Sequence, residues 1–494
     1  MNSFLHLMPL FLVSLGGVVL MLLSAIGKFS TKHYIYMCVA FLALAEAFQV
    51  LHVWQLYSID LYPQIFNGMI IADSYSSYFN AILIMGAILI LLISEHYFAM
   101  QKHFRGEFFS IMLFSVFAMM MLVQSTELIS AFIALEIASL CVYIMIGFQK
   151  DHHKRIEASY KYLVVGSISG AIFLLGVGLI YAGLQTTHLG ELAHQIQYKE
   201  NLNLVIVGAS MILIMFLFKI SAFPFQSWAI DVYDGAPLPV TGYMAAAFKI
   251  SIFGFMLRAM LVDFEDIKGI WTNMLIFITI ATLVYGSFLA LIQKSVKRML
   301  AASSIVHTGY LLIAFISTTT MPEEASSSLI FYQVAYFLSS VGAFGLISYI
   351  VSDDKLRITY NDFKGFAKTE PTMAASMSVF MLSLAGIPST IGFMGKFYIF
   401  SGAISAGYSY LSIVAIIATG ISIYYYFKLI AVMYFYPPSD GASVPMLRGI
   451  TPKIIGLLAL ATIWGGVGNI IITYFPDVDF IIDLAQIAYK SLFL

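Results

Sequence analysis

Fourteen runs of about twenty mostly apolar residues, each closed by a short polar break, dominate this sequence. A helix needs about 20 such residues to cross the ~30 Å hydrocarbon of a bilayer. Nothing but a helix or a closed barrel can satisfy its own backbone there. The runs begin near Met8, Tyr34, Asp73, Glu107, Glu127, Ser159, Leu204, Val240, Ile270, Met299, Ser326, Thr372, Ser405 and Thr451. The longest breaks, roughly 55–72, 184–203 and 352–371, are too short for a soluble domain. The first carries Pro63, Asn67 and Gly68 among alternating apolar residues, which predicts a short hairpin. The fold class is therefore an all-α polytopic membrane protein, one membrane domain over residues 1–494. Composition agrees, with 61% apolar and 10% charged residues, against about 45–50% and about 25% in soluble proteins. The 25 Lys+Arg and 26 Asp+Glu leave no basic excess for a phosphate backbone, which excludes a nucleic-acid binder. Cys38 and Cys141 lie inside apolar runs and read as buried packing residues rather than a disulfide or metal site.

Loop charges test the count and set the orientation. No positive charge precedes the first apolar run, while Lys28 and Lys32 follow it, the reverse of a secretory signal. With fourteen crossings, sixteen lysines and arginines fall in loops of one set: Lys28, Lys32, Lys102, Arg105, Lys150, Lys154, Arg155, Lys294, Lys297, Arg298, Lys355, Arg357, Lys364, Lys368, Arg448 and Lys453. Only Lys199, Arg258, Lys268 and Lys490 fall in the other. The positive-inside rule puts the first set in the cytoplasm and both termini outside. Trp54 and Trp271 sit at helix ends, where interfacial anchors occur.

Five basic residues remain within the runs: Lys161, Lys219, Lys249, Lys396 and Lys428. Lys428 lies towards a helix end and reads as a snorkelling side chain. Lys249 is the tenth residue of its run and Glu136 the tenth of another; Glu46 is a further embedded carboxylate. His307 alone among ten histidines lies well inside a span. A Lys or Asp at a helix centre costs about 2.5–3.5 kcal/mol to insert. Any one of these groups could be a buried residue neutralised by its neighbours. Together they point to proton or ion sites crossing the interior. Lysine suits that task, because desolvation and a nearby carboxylate act on its proton affinity in opposite directions. Glu136 is the obvious carboxylate, with Lys219 or Lys249 as its partner.

Two runs are interrupted. In FKISAFPFQSW, Pro224 cannot donate and its ring clashes with the carbonyl of Ile220, freeing an acceptor beside Lys219. From Thr372 to Ile404 the only charge is Lys396, and a straight helix of that length would reach roughly 50 Å. Gly386, Pro388, Gly392 and Gly395 supply the break. Paired discontinuous helices with a lysine beside each break are the mark of transporters built from inverted repeats. Two five-helix repeats are expected, helices 4–8 (about 107–261) and 9–13 (about 270–434), with Lys219 and Lys396 as counterparts in helices 7 and 12. GFMGKF lacks the first glycine of a phosphate-binding loop, since Thr390 stands there. Gly176, Gly178 and Gly183 read as helix packing, and His152 and His153 as solvated loop residues. No haem, flavin or iron–sulfur ligand set is visible, so no cofactor is expected in this chain.

KISAFPFQSWAIDVYDGAPLPVTGYMAAAFK (219–249), KRMLAASSIVHTGY (297–310) and LSLAGIPSTIGFMGKFYIF (382–400) resemble the antiporter-like membrane subunits of respiratory complex I. DVYDGAPLPVTG is similar to the N-type branch rather than the L and M types, and the chain lacks the L-type lateral helix. The resemblance implies a proton-translocating subunit of an NADH–quinone oxidoreductase in the bacterial inner membrane. Its partners would be an M-type subunit, small quinone-side subunits and lipid. NAD, FMN, iron–sulfur clusters and quinone would belong to partner subunits. Carried over by motif, Glu136 matches the fifth-helix glutamate, Lys219, Lys249 and Lys396 the lysines of helices 7, 8 and 12, His307 the linking histidine, and Lys161 a sixth-helix lysine. Lys161 also reads as a snorkelling helix-end lysine. Gln226 stands where a histidine is common, and Ile230 where a proline often precedes DVY. The alternatives are a subunit of a cation/proton antiporter or hydrogenase relative, and a non-pumping membrane scaffold.

Overall fold

The computed structural model describes residues 6–27, 29–56, 64–101, 103–196, 202–264, 267–350, 358–438, 449–471 and 478–493. Lys28, Pro63, Lys102, Lys199, Lys355, Arg357 and Arg448, and the side chain of Trp54, lie outside the described residues. The chain folds as α1 (Met8–Ile26), α2 (Thr31–Leu56), a hairpin of β1 (Gln64–Ile65) and β2 (Ile70–Ile71), α3 (Ser74–Ile93), α4 (Glu95–Met100), α5 (Gly106–Gln124), α6 (Leu128–Ile146) and α7 (His153–Leu184). Then come α8 (Leu189–Ile196), α9 (Leu202–Lys219), α10 (Ser227–Gly235), α11 (Leu238–Leu261), α12 (Lys268–Leu291), α13 (Val296–Ser317) and α14 (Pro322–Ile350). The remainder is α15 (Phe366–Thr369), α16 (Pro371–Ala385), α17 (Ile391–Ser405), α18 (Ser409–Phe435), α19 (Thr451–Ile471) and α20 (Val478–Lys490). Among the described residues, thirteen helices are long and apolar enough to cross a membrane. The thirty-three-residue run is two fifteen-residue helices, α16 and α17.

Local chemistry sets these boundaries. Asp73 caps α3 by accepting from Ser76 N at 2.7 Å, and Thr390 caps α17. Pro322 and Pro371 occupy first helical positions, where no N–H is needed. The predicted hairpin forms, pairing Gln64 with Ile71 and Ile65 with Ile70, and Phe66, Asn67 and Gly68 take its positive φ angles. Gly176 packs as expected, a Cβ there lying 2.7 Å from Gly208 O on α9, and Gly183 faces Val205, but Gly178, read as a packing residue too, has nothing within 4 Å. Cys38 and Cys141 are buried.

The layering follows polarity. α11 and α13 are buried along their length and α14 nearly so, while α1, α2, α7 and α18 keep large apolar faces outward. A helix apolar all round is stable only where lipid or protein covers every face. The polar hydroxyls, amides and ammoniums therefore gather on the central helices.

Four readings need correction. α7 starts at His153, not Ser159, because the charged stretch before the apolar run is itself helical. At 1.5 Å per residue its thirty-two residues run about 48 Å, so its first turns overhang the membrane. The break 184–203 contains α8, and α20 follows the last span; both are amphipathic and shorter than a crossing. Trp271 is buried against Phe315 rather than facing an interface. Arg258, assigned to a loop, is 6% exposed and forms a two-pronged pair with Asp73 at 2.8 and 3.0 Å. Its Nε donates to Val123 O at 3.1 Å and its guanidinium lies over Tyr75. One side chain thus ties α11 to α3 and α5. Removing one partner of such a pair strands a buried charge, at about 3–5 kcal/mol. Asp73→Ala should lower the thermal midpoint of the detergent-solubilised protein sharply, whereas Asp483→Ala, on the exposed side of α20, should leave it nearly unchanged.

Candidate functional site

The first break separates α9 from α10. Ile220 N still bonds Phe216 O, but Ser221 N turns back to Phe218 O and Ala222 N to Leu217 O, with Ser221 at φ 62°. This is a Schellman end. The groups it frees are met by side chains: Trp228 Nε1 donates to Phe218 O, and Phe223 N donates to Thr282 Oγ1 at 3.0 Å. The Ile220 carbonyl, the one Pro224 was expected to free, accepts from Thr308 Oγ1 at 2.9 Å.

Lys219, on the last turn of α9, is 1% exposed. Its ammonium donates to Ser139 Oγ at 2.8 Å and approaches Tyr143 OH at 3.5 Å. The faces of Tyr143 and Tyr162 lie 5.9 and 6.0 Å away, a cation–π range. Glu136, Ser139 and Tyr143 are spaced i, i+3, i+7 and form one stripe on α6. That geometry decides which lysine Glu136 faces. Its charge acts on Lys219 without contact, and its Oε1 has no protein hydrogen bond. Two glycines of α7 make the room: a Cβ at Gly170 would meet Glu136 Oε1 at 2.6 Å, and one at Gly166 would collide with the Tyr143 hydroxyl.

Lys249 follows a π turn at Met244–Phe248 in α11 and is 3% exposed. Its three donors find three acceptors on α13: Ser304 O at 2.8 Å, Thr308 Oγ1 at 2.9 Å and Ser304 Oγ at 3.3 Å. Thr308 therefore joins Lys249 to the first break through Ile220 O. The adjacent His307 has both ring nitrogens against hydroxyls, Nδ1 with Tyr332 OH at 2.6 Å and Nε2 with Tyr426 OH at 3.0 Å. A neutral imidazole donates at one nitrogen and accepts at the other, so this tyrosine–histidine–tyrosine chain can pass a proton by exchanging tautomers.

The second break repeats the first. Gly386 N bonds Ser383 O and Ile387 N bonds Leu382 O, with Gly386 at φ 79°. Lys396 is 3% exposed; its ammonium donates to Leu384 O at 2.9 Å and Ala385 O at 3.1 Å, and lies 4.8 Å from the Tyr310 ring. It caps the negative end of α16. Tyr310 in turn neighbours His307, with ring centroids 5.7 Å apart. Among the described residues, none of the ammoniums of Lys219, Lys249 and Lys396 meets a carboxylate within 4 Å.

Lys219, Lys249, His307 and Lys396 are thus joined by named contacts through α6, α9, α11, α13, α14 and α16–α18, with Glu136 on the same stripe of α6 and out of contact. Lys161 lies elsewhere, 43% exposed on the overhanging start of α7 and paired with Glu157 and Asp231. Lys428 is exposed, over Tyr360, as a snorkelling lysine would be. Glu46 is half-buried on α2, away from the others. Sequence reasoning passed over the buried hydroxyls Tyr233, Tyr332, Tyr336, Tyr425 and Tyr426; for the last four the signal is tyrosine within an apolar run rather than in the interfacial belts, while Tyr233 lies between runs. It also missed Lys297, taken for a loop residue and in fact 6% exposed. Among the described residues no cluster of His, Cys, Asp and Glu could hold a metal ion.

Helix bundle, broken helices and buried lysines define a class of membrane proteins, and comparison agrees. Residues 125–422 match the family described as NADH:quinone oxidoreductase/Mrp antiporter, transmembrane. A chain of Thermus thermophilus respiratory complex I superposes with a TM-score of 0.78 at 26% identity, covering 94% of this chain and 98% of that one. A chain of the Mrp complex of Dietzia, at 18% identity, shares the fold with a TM-score of 0.85 over 99% and 98%. Over 98% of its length the chain is 34% identical to NADH-quinone oxidoreductase subunit N of Trichlorobacter lovleyi, of which 96% is covered. It belongs to the NADH-quinone oxidoreductase subunit N family.

The glycine seam gives a test. Gly166→Ala should displace Tyr143 from Lys219 and cost about 1–3 kcal/mol by overpacking. Gly178→Ala, on the same helix with nothing within 4 Å of its Cβ, should match the parent in thermal stability and activity.

Proposed function

We propose that this chain is a proton-translocating membrane subunit of an NADH–quinone oxidoreductase. Protons move along Lys219, Lys249, His307 and Lys396, and Glu136 adjusts the charge on Lys219. Quinone reduction in other subunits supplies the free energy, and this chain holds no redox centre of its own. Lys161, among Glu157 and Asp231 at the basic rim, belongs to the proton-collecting surface. Counting α16 and α17 as one interrupted crossing gives fourteen crossings, arranged as two inverted five-helix repeats over about 107–261 and 270–434. The basic rim faces the cytoplasm of a bacterial inner membrane, and both termini face outward. Membrane subunits of the M type and the small quinone-side type pack against it.

The observation that carries this reading is the linkage through Thr308. One hydroxyl accepts from the Lys249 ammonium and donates to the carbonyl freed by the first break, and His307 beside it leads to the second. A scaffold has no use for buried ammoniums held by neutral groups, since an apolar residue would pack there without desolvation cost. Unpartnered buried polar atoms of Glu136, Tyr162, Ser221, Gln333 and Tyr425 follow the same line. Buried polar groups of this kind are ordinarily met by internal water, which a proton path requires. The cation/proton antiporter reading shares the fold, but the 34% identity over nearly the whole chain is to subunit N.

Lys249→Met keeps the volume and removes the ammonium. In the assembled complex, reconstituted in vesicles, it should lower the protons moved per NADH oxidised while electron transfer persists. Glu136→Gln should lower coupled turnover while leaving the amount of assembled complex unchanged. A parental proton ratio in Lys249→Met would leave the scaffold reading.

A further inference from the structure

Lys297 has no place in the relay above, yet it is buried as deeply as an internal lysine and meets the same kind of partner. Its ammonium donates to Ala236 O at 2.6 Å and Asp234 O at 2.9 Å, the last carbonyls of α10. α10 is the half-helix that follows the first break. Lys396 treats the end of α16 in the same way, and the end of α9 is met by Thr308, which holds Lys249. Each of these three helix ends is faced by a buried lysine, directly or through one hydroxyl.

The position of Lys297 on α13 gives this pattern a direction. Lys297, Ala301, Ser304 and Thr308 recur at intervals of four, three and four and line one face of the helix. Ser304 and Thr308 are the acceptors of Lys249. Lys297 therefore stands two turns, about 10 Å, towards the basic rim from the groups that hold Lys249. Between them Tyr233 of α10, neighbour to Asp234, brings its hydroxyl to Ser304. On the rim side, Asp234 is paired with Lys154 at 2.7 Å and Arg298 at 3.2 Å. Asp231 is paired with Arg298 and Lys161, and Glu157 and Arg155 complete the charged groups around this end.

We propose that Lys297 is a further proton-carrying residue, standing between the charged basic rim and Lys249 and passing its proton by way of internal water to the hydroxyls of Tyr233 and Ser304. The inference rests on the relay reading above. In the step, Lys297 gives one N–H proton and becomes a neutral amine. Tyr233 and then Ser304 each accept a proton on oxygen and release their own, and neutral Lys249 becomes an ammonium. Lys297 is reloaded from the Asp234 side. Losing its charge also weakens its hold on the end of α10, to which the neutral amine can still donate. Lys161, chosen by resemblance of motif, lies on the exposed side of the same cluster, and Lys297 is its buried counterpart.

A cap and a carrier make opposite demands on arginine. Arginine keeps the charge and the donors but cannot lose its proton in a protein. Lys297→Arg, Tyr233→Phe and Lys249→Met would be compared in the intact complex in vesicles, reading protons moved per NADH oxidised alongside electron transfer and assembly. Lys297→Arg is expected to assemble, continue electron transfer and lose the same fraction of the proton ratio as Lys249→Met. Tyr233→Phe, which removes one hydroxyl, is expected to lose that fraction too. A parental ratio in Lys297→Arg, with the ratio reduced in Lys249→Met, overturns the proposal and leaves Lys297 a cap. A parental ratio in Lys249→Met overturns the relay reading instead. If Lys297→Arg fails to assemble, Tyr233→Phe decides alone, and a parental ratio there overturns the proposal.

Discussion

The interior is organised by ammonium groups held by neutral dipoles. Lysine inside a membrane must be paired, hydrated or drawn to an interface. Lys219, Lys249 and Lys396 instead find hydroxyls, carbonyls and aromatic faces. A helix end frees carbonyls for this purpose, as the end of α16 does for Lys396, while Lys249 takes a second lone pair of Ser304 O on unbroken α13 and Lys219 takes a serine hydroxyl. The glycines at 166 and 170 do the equivalent for α6, admitting the Tyr143 and Glu136 side chains against the next helix.

The two breaks are alike in backbone and unlike in charge. Both close with the same pair of hydrogen bonds around one residue of positive φ. Matching those residues places Lys219 opposite Leu384, not opposite Lys396. Lys396 comes from beyond its own break and returns to the carbonyls of Leu384 and Ala385. The carbonyl matching Ala385 in the first break is Ile220 O, which is served by Thr308 and through it by Lys249. In contact, Lys396 therefore does for the second break what Lys249 does for the first. A repeated backbone need not repeat the position of the charge, provided a cation reaches the same helix end.

Depth in the apolar runs was enough to find Lys219, Lys249, His307 and Lys396 as buried groups, because a polar residue well inside such a run is driven inward. The chemistry of proline was enough to identify Ile220 O. Position near a run's end carries no such information. Lys161, Arg258 and Lys297 all lie there, and the first is exposed while the other two are buried. Arg258 is buried because Asp73, 185 residues earlier, is brought to it. Lys297 is buried because α10 folds back across it. Lys161 is exposed because α7 begins six residues before its apolar run. Each outcome depends on packing between distant segments, to which local hydropathy is blind.

The contrast between Arg258 and the lysines bears on transport itself. Two unit charges 4 Å apart at an effective dielectric of 20 attract by about 4 kcal/mol, which is about three pKa units. A carboxylate in contact with a lysine would fix its proton by that much. Arg258 and Asp73 have such a contact, and guanidinium cannot release a proton in any case, so that pair ties α3 to α11. Hydroxyls and carbonyls hold an ammonium, and the hydroxyls can donate to the neutral amine once the proton has gone. The grip on a helix end then loosens rather than breaks. In the proposed relay, Glu136, kept within electrostatic range of Lys219 but out of contact, makes the same compromise, with enough field to favour loading and too little to prevent release.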